Sequence, residues 1–276
     1  MPSTDNRPSP IAGQWYPGDA RTLKHSIDTM LAKADPQPVH GRIVGVIVPH
    51  AGYLYSGRVA AQAFRCIQGS HFERIVVISP MHHPYFAPVL SSGHQGYVTP
   101  LGTLPIDHEL LADLNKQVAI EKIRNDPEHS LEIELPFLQR AVAGAFQLVP
   151  LMLRDQSYHT ARTLGEALGG LLAGDSSTLM VASSDMSHFY PEEEASKLDR
   201  RMLTLWETYD SQGIIEADAA GIAFACGKAA IATVLIACQK MGATHCKVTG
   251  YGTSGDASGD HNRVVGYGSA VIYGAE

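Results

Sequence analysis

The chain has 276 residues, of which 45% are apolar and 18% charged, and it carries a formal net charge of −7. Such a length suits one α/β unit that buries roughly three quarters of its unfolded surface without covalent staples. The acidic balance argues against nucleic acid, which asks for a basic face, and no run approaches the ~20 apolar residues of a membrane span.

Residues 1–18 are rich in Pro and Gly and read as extended chain. They lack the apolar core of a signal peptide, so a cytoplasmic location is expected. Residues 22–34 place Leu23, Ile27, Met30 and Leu31 at helical spacing. The apolar run 43–48 reads as a buried strand opening into Pro49-His50-Ala51-Gly52-Tyr53, and 57–67 as a helix of small residues. A second buried strand, 74–79, opens into Pro80-Met81-His82-His83. Residues 84–97 look irregular with short strands, and 107–116 look helical. Asp126-Pro127-Glu128-His129-Ser130 is a helix-start signal, since Asp or Ser can cap and Pro suits the first helical position. The pattern predicts a helix over 131–143, with Pro136 either kinking it or marking a later start.

A strand at 147–153 and a helix at 160–173 precede a third strand, 178–182, which opens into Ser183-Ser184-Asp185-Met186-Ser187-His188. Helices follow at 195–209, 214–219 and 227–241. Two strands, 247–251 and 264–273, flank a Gly/Ser/Asp-rich loop and read as an antiparallel pair. Strands alternating with helices predict one α/β domain over 1–276, with a mostly parallel or mixed sheet covered by helices on both faces.

Three strand ends carry histidine, and ligands of open α/β sheets bind beyond the carboxyl ends of strands. His50 alone reads as a hydrogen-bonded structural residue; in this company it becomes a ligand candidate. His82 and His83 cannot both face one point in extended chain, so one is a candidate. Asp185 and His188 read either as carboxylate and imidazole of one site or as a turn cap and a loop residue. His129 reads as a cap or surface residue. Glu128, Glu132 and Glu134 read most simply as a solvated face, although one could enter a polar pocket.

Cys66, Cys226, Cys238 and Cys246 show no C-x-x-C spacing and fit a reducing compartment. Cys226 precedes a long helix whose N-terminus would lower its thiol pKa, making it a ligand or redox candidate; the alternative is a small buried residue. The other three read as structural. Two imidazoles plus one anionic ligand suit Fe(II) and oxygen chemistry, whereas a thiolate shifts the preference toward Cu(I) or Zn. Gly250-Tyr251-Gly252-Thr253-Ser254-Gly255 spells a dinucleotide fingerprint but meets a polar loop rather than a helix, and reads as a turn.

Pro49-His50-Ala51-Gly52-Tyr53-Leu54-Tyr55-Ser56-Gly57 closely resembles the Memo-like family, whose prokaryotic members are called AmmeMemoRadiSam system protein B. The resemblance extends from Ala12-Gly13-Gln14-Trp15-Tyr16-Pro17 through Ser79-Pro80-Met81-His82-His83, Glu128-His129-Ser130-Leu131-Glu132 and Ser183–His188 to Ala225-Cys226-Gly227. It implies a fold like that of class III non-haem iron extradiol dioxygenases, with the positions of His50, His82 and Cys226 holding iron or copper, zinc being a further option. It also implies Asp185 and His188 as a nearby polar pair and Trp15 and His129 as pocket positions. Those dioxygenases use a carboxylate where this family has the cysteine. The resulting expectation is a redox metalloprotein in which His188, held by Asp185, acts as acid–base group, and Tyr53 and Trp15 line an aromatic wall. Two alternatives are a peptide- or protein-binding module using the same cleft and a metal-assisted hydrolase. The family's name implies association with AMMECR-type and radical-SAM proteins; an unidentified small molecule or peptide is the expected occupant of the cleft.

Overall fold

In the computed structural model, which describes residues 5–275, the chain starts with β1 (Asn6–Arg7), α1 (Ala20–Lys33), β2 (Arg42–Val48), α2 (Tyr53–Cys66) and β3 (Arg74–Pro80). Residues 1–4 of the expected extended segment lie outside the described residues. Then come β4 (Val89–Ser92), β5 (Gly96–Thr99), β6 (Gly102–Pro105), α3 (His108–Asn115) and β7 (Glu121–Ile123). A 3-10 turn, Glu132–Glu134, leads into α4 (Leu135–Ala141), β8 (Gln147–Leu153), α5 (Tyr158–Leu171) and β9 (Thr178–Ser183). The last part holds β10 (His188–Tyr190), α6 (Glu192–Glu207), α7 (Ser211–Ala219), α8 (Lys228–Lys240), β11 (His245–Thr253), α9 (Gly255–Ser258) and β12 (Val264–Gly274).

Among the described residues, nine strands form one mixed sheet in the order β10-β12-β2-β9-β3-β8-β4-β7, with β11 paired to β12. Its centre, β2-β9-β3-β8, is parallel, while β12 and β4 join it antiparallel. The central strands are apolar and buried almost end to end, as parallel strands covered on both faces must be. Helix α8, with α5 behind it, packs on β2, β9 and β3; α2, with α1 and α4 beside it, packs on β2, β11 and β12.

Local differences from the sequence pattern have physical causes. Helix α2 starts at Tyr53 rather than 57, because Tyr53 N–H donates to the Trp15 carbonyl at 2.9 Å and so closes off the helix start against the N-terminal segment. Pro136 sits in the first turn of α4, where its missing N–H costs nothing, so it marks the later start. Gly250 and Gly252 lie inside β11, and the segment after them holds only the four-residue α9, so no long helix offers its N-terminus to a pyrophosphate.

A small second sheet, β1-β5-β6, holds the N-terminal segment against the body. Its anchor is Arg7, fully buried, whose guanidinium lies 2.6 Å from Asp126, pairs with Glu132, donates to the Glu128 carbonyl at 2.7 Å and sits 4.7 Å over the Tyr97 ring. Ser9 and Tyr16 also donate to Glu132. Removing one partner of a buried ion pair leaves an uncompensated charge. Arg7→Met is therefore expected to lower the free energy of unfolding by about 3–5 kcal/mol in urea titration; a loss below ~1 kcal/mol would contradict this role for the cluster.

Candidate metal centre

Strand β9 lies between β2 and β3, with Val48 opposite Ser183 and Ile78 opposite Ala182. The three histidine-bearing strand ends are therefore immediate neighbours at one edge of the sheet. His50 follows β2, His82 follows β3, and the segment beginning at Ser183 rises between them. The imidazoles of His50 and His82 meet edge to face with centroids 5.4 Å apart.

His82, though the more exposed of the two neighbouring histidines, is the one whose ring meets His50. Its backbone N–H donates to Glu128 Oε2 at 2.6 Å and its Nδ1 lies 2.9 Å from Glu128 Oε1. With Nδ1–H facing a carboxylate, the Nε2 lone pair is the free one. Glu128 is fully buried, and its Oε1 also accepts from the N–H groups of His129 and Ser130, each at 3.0 Å. Burial opposes its charge, yet the hydrogen bonds from His82 and from these backbone groups outweigh burial and hold the carboxyl far below the ordinary range.

His50 is fully buried. Its Nδ1 lies 2.9 Å from Ser183 Oγ and its Nε2 lies 3.1 Å from Cys226 Sγ. Burial and the neighbouring His129 and His82 push its pKa well below the usual value, so the ring is neutral. Its backbone N–H donates to Asp185 Oδ1 at 2.7 Å. Burial raises the Asp185 carboxyl to about 7, against the opposing pull of the His50 and Ala51 N–H groups.

Cys226 arrives from the far side of the chain, just ahead of α8. Its N–H donates to the Asp185 carbonyl at 3.1 Å, and Gly227 N–H donates to Ser184 Oγ at 2.9 Å. Gly227 has to be glycine for this approach, since a Cβ there would stand 2.4 Å from the Ser183 carbonyl oxygen. Burial and nearby Asp185 push the thiol pKa up, not down as the helix position alone predicts. Desolvation outweighs the helix N-terminus here, and the group is a protonated thiol next to a neutral imidazole.

Donor atoms of His50, His82 and Cys226 all lie within 4.8 Å of one another. Metal bonds to N and S run about 2.0–2.3 Å, so two ligands of one ion stand ~3–4 Å apart, and the 3.1 Å between His50 and Cys226 falls in that range. The donor set thus fits an ion. A second group, His82, Glu128 and His129, is equally close, but its carboxylate is already engaged by N–H donors at both oxygens. That makes Glu128 a support for His82 rather than a ligand.

The remaining sequence candidates divide. His129 stacks on His82 at 4.9 Å and Trp15 packs on His129 at 4.1 Å, forming one aromatic wall. Burial lowers the His129 pKa to about 4. Tyr53 turns into the core instead: it packs against Phe137 at 4.8 Å and its hydroxyl donates to the Ile133 carbonyl. Asp185 and His188 do not share a helix turn, since His188 opens β10 and no hydrogen bond joins the two among the described residues. His188 is half-buried, with a pKa lowered by burial. Next to it, Phe189 adopts φ 65° and stays exposed, its ring 5.4 Å from the Arg263 guanidinium.

The expectation of a solvated acidic face is overturned. Glu128, Glu132 and Glu134 are all buried, committed respectively to His82, to Arg7 with Ser9 and Tyr16, and to Ser183. One signal was available for two of them: Glu132 and Glu134 alternate with Leu131, Ile133 and Leu135, and no Lys or Arg follows before Arg140. Ser183 and Ser184 carried no signal beyond following a strand. All four cysteines are free.

An α/β protein with two imidazoles and a thiol converging at neighbouring strand ends is the class that fold and site define. Comparison makes this specific. The family profile described as Memo-like protein matches residues 7–271. A MEMO1 family protein of Nitrosopumilus maritimus is 34% identical over 267 residues, covering 94% of this chain and 96% of the relative. One from Methanopyrus kandleri is 33% identical over 275 residues (95% and 97%), and one from Aquifex aeolicus 31% over 259 residues (93% and 95%). The chain belongs to the Memo-like family. No helix among the described residues is long and apolar enough to cross a membrane.

Because Glu128 acts through an ionised carboxylate facing several N–H donors, an amide cannot replace it without opposing donor to donor. Glu128→Gln is expected to cost about 1–3 kcal/mol of stability in urea unfolding; an unchanged midpoint would contradict the clamp.

Proposed function

We propose that this protein is a mononuclear metal-binding redox protein, with the ion held by His50, His82 and Cys226. Iron(II) is the first candidate and copper the second. The observation that carries this reading is the convergence of three donor atoms from three separate segments. Each donor has its own polar neighbour: Glu128 behind His82, Ser183 behind His50 and Ser184 beside Cys226. Such partners fix tautomer and orientation, and the carboxylate behind His82 also raises its basicity. Two imidazoles and one anionic ligand leave positions open, which suits iron(II) and oxygen chemistry, while the thiolate accommodates copper. When bound, the ion supplies a redox-active Lewis acid at which oxygen and an oxidisable small molecule can meet.

The chain's own residues do the rest. The Trp15–His129–His82 stack walls one side of the centre. His188, neutral through burial, takes a proton from the substrate's acidic group and returns it. Asp185 holds the His50 backbone and the Cys226 loop together through its carboxylate and its carbonyl.

A second reading draws on the exposed rings of Phe86 and Phe189, which sit on the segments carrying His82 and His188. It makes the cleft a peptide-binding surface with the metal as a structural element.

Metal analysis after anaerobic loading with iron(II) tests the first reading. One ion per chain is expected, falling at least about tenfold in His50→Ala, His82→Ala and Cys226→Ala, with His83→Ala unchanged. Full metal content in the three variants would overturn the ligand set. Oxygen uptake by the loaded protein with catechols or thiols then supports redox function; no uptake, with peptide binding lost in Phe189→Ala, favours the second reading.

A further inference from the structure

Ser183 has three polar neighbours and one proton to give. Its Oγ lies 2.6 Å from the Ser130 carbonyl oxygen, 2.9 Å from Glu134 Oε1 and 2.9 Å from His50 Nδ1. A carbonyl oxygen only accepts, and so does an ionised carboxylate. If Glu134 were ionised, two acceptor-only oxygens would compete for one hydroxyl proton, and one short oxygen–oxygen contact would have no hydrogen in it. Giving the Ser183 proton to Ser130, the shorter contact, leaves Oγ to accept from His50 Nδ1–H and from Glu134. That arrangement puts one hydrogen in each of the three contacts if Glu134 carries a proton.

We infer that Glu134 is a neutral carboxylic acid that donates to Ser183 and thereby positions His50 with Nδ1 protonated and Nε2 free toward Cys226. Its surroundings agree. Glu134 is fully buried, and no Lys or Arg pairs with it among the described residues. Burial, helped by nearby Asp185 and opposed only by the Ser183 hydrogen bond, pushes its pKa well above the ordinary carboxyl range. An isolated buried carboxylate is costly, and such a group neutralises instead.

The two histidines are consequently backed in opposite ways. His82 leans on an ionised carboxylate, Glu128, and His50 leans through a hydroxyl on a neutral acid. Ligand basicity is raised on one side only, and the centre carries one fewer buried negative charge than its carboxylates suggest. Glu134 is thus a positioning residue, and this role toward an ion rests on the proposed metal function, whereas its protonation does not.

Infrared difference spectra of metal-free wild type against Glu134→Gln at neutral pH test the inference. A carboxylic-acid carbonyl band that shifts in D2O and is lost in the variant is expected; Asp185 is present in both proteins and cancels. No such band would overturn the assignment. In iron(II) titrations, Glu134→Gln replaces a neutral donor by a neutral donor and should hold affinity within about threefold, whereas Glu134→Leu should lose about tenfold. A tenfold loss with Gln would show that the charge was needed and would overturn the inference. If wild type binds no metal, the function proposed above fails, while the infrared band still decides the state of Glu134.

Discussion

The carboxylate of Glu128 joins two segments that the sheet alone would leave independent. One follows β3 and carries His82; the other precedes the 3-10 turn and carries His129 and Ser130. Glu128 accepts N–H groups from both, so the imidazole of His82 is fixed in position, tautomer and tilt by one buried anion. A buried anion must be compensated by donors or charge. His82, His129 and Ser130 supply the donors, and Arg7 steadies the Glu128 segment from behind through the Glu128 carbonyl, Asp126 and Glu132. The N-terminal segment is thereby tied to the centre, although it contributes no donor atom to it.

Around this clamp, burial sets most of the electrostatics. It keeps His50, His129 and His188 neutral and raises the Asp185, Glu134 and Cys226 groups. Only Glu128 resists, because several N–H groups converge on it. At the centre, then, the neutral imidazole of His50 and the protonated thiol of Cys226 stand near the anionic Glu128 that backs His82. A cation entering the centre would meet ligands aligned in advance, which lowers the ordering cost of binding.

Much of this layout is legible in the sequence. Buried strands at 43–48, 74–79 and 178–182, each opening into small and polar residues, place His50, His82 and Asp185 at one edge of a sheet, and the observed order β2-β9-β3 makes them neighbours. Choosing His82 over His83, and preferring Cys226 as a ligand over a small buried residue, rested on resemblance, because backbone pattern does not show which side chain turns toward the site. The buried glutamates were misread because acidic residues near a helix start usually face solvent. Here the partners that reverse that rule, Arg7, Tyr16 and Ser183, lie 49 to 125 residues away in sequence. For Asp185 and His188 the sequence left two readings open, and the segment between them is not helical, so three-residue spacing does not bring their side chains onto one face.

The central claim is that His50, His82 and Cys226 form one metal centre. X-ray absorption at the metal edge of the iron(II)-loaded protein tests it most directly. One sulfur and two imidazole scatterers are expected in the inner shell, with the sulfur absent in Cys226→Ser. An inner shell of oxygen and nitrogen alone in the wild-type protein would contradict it.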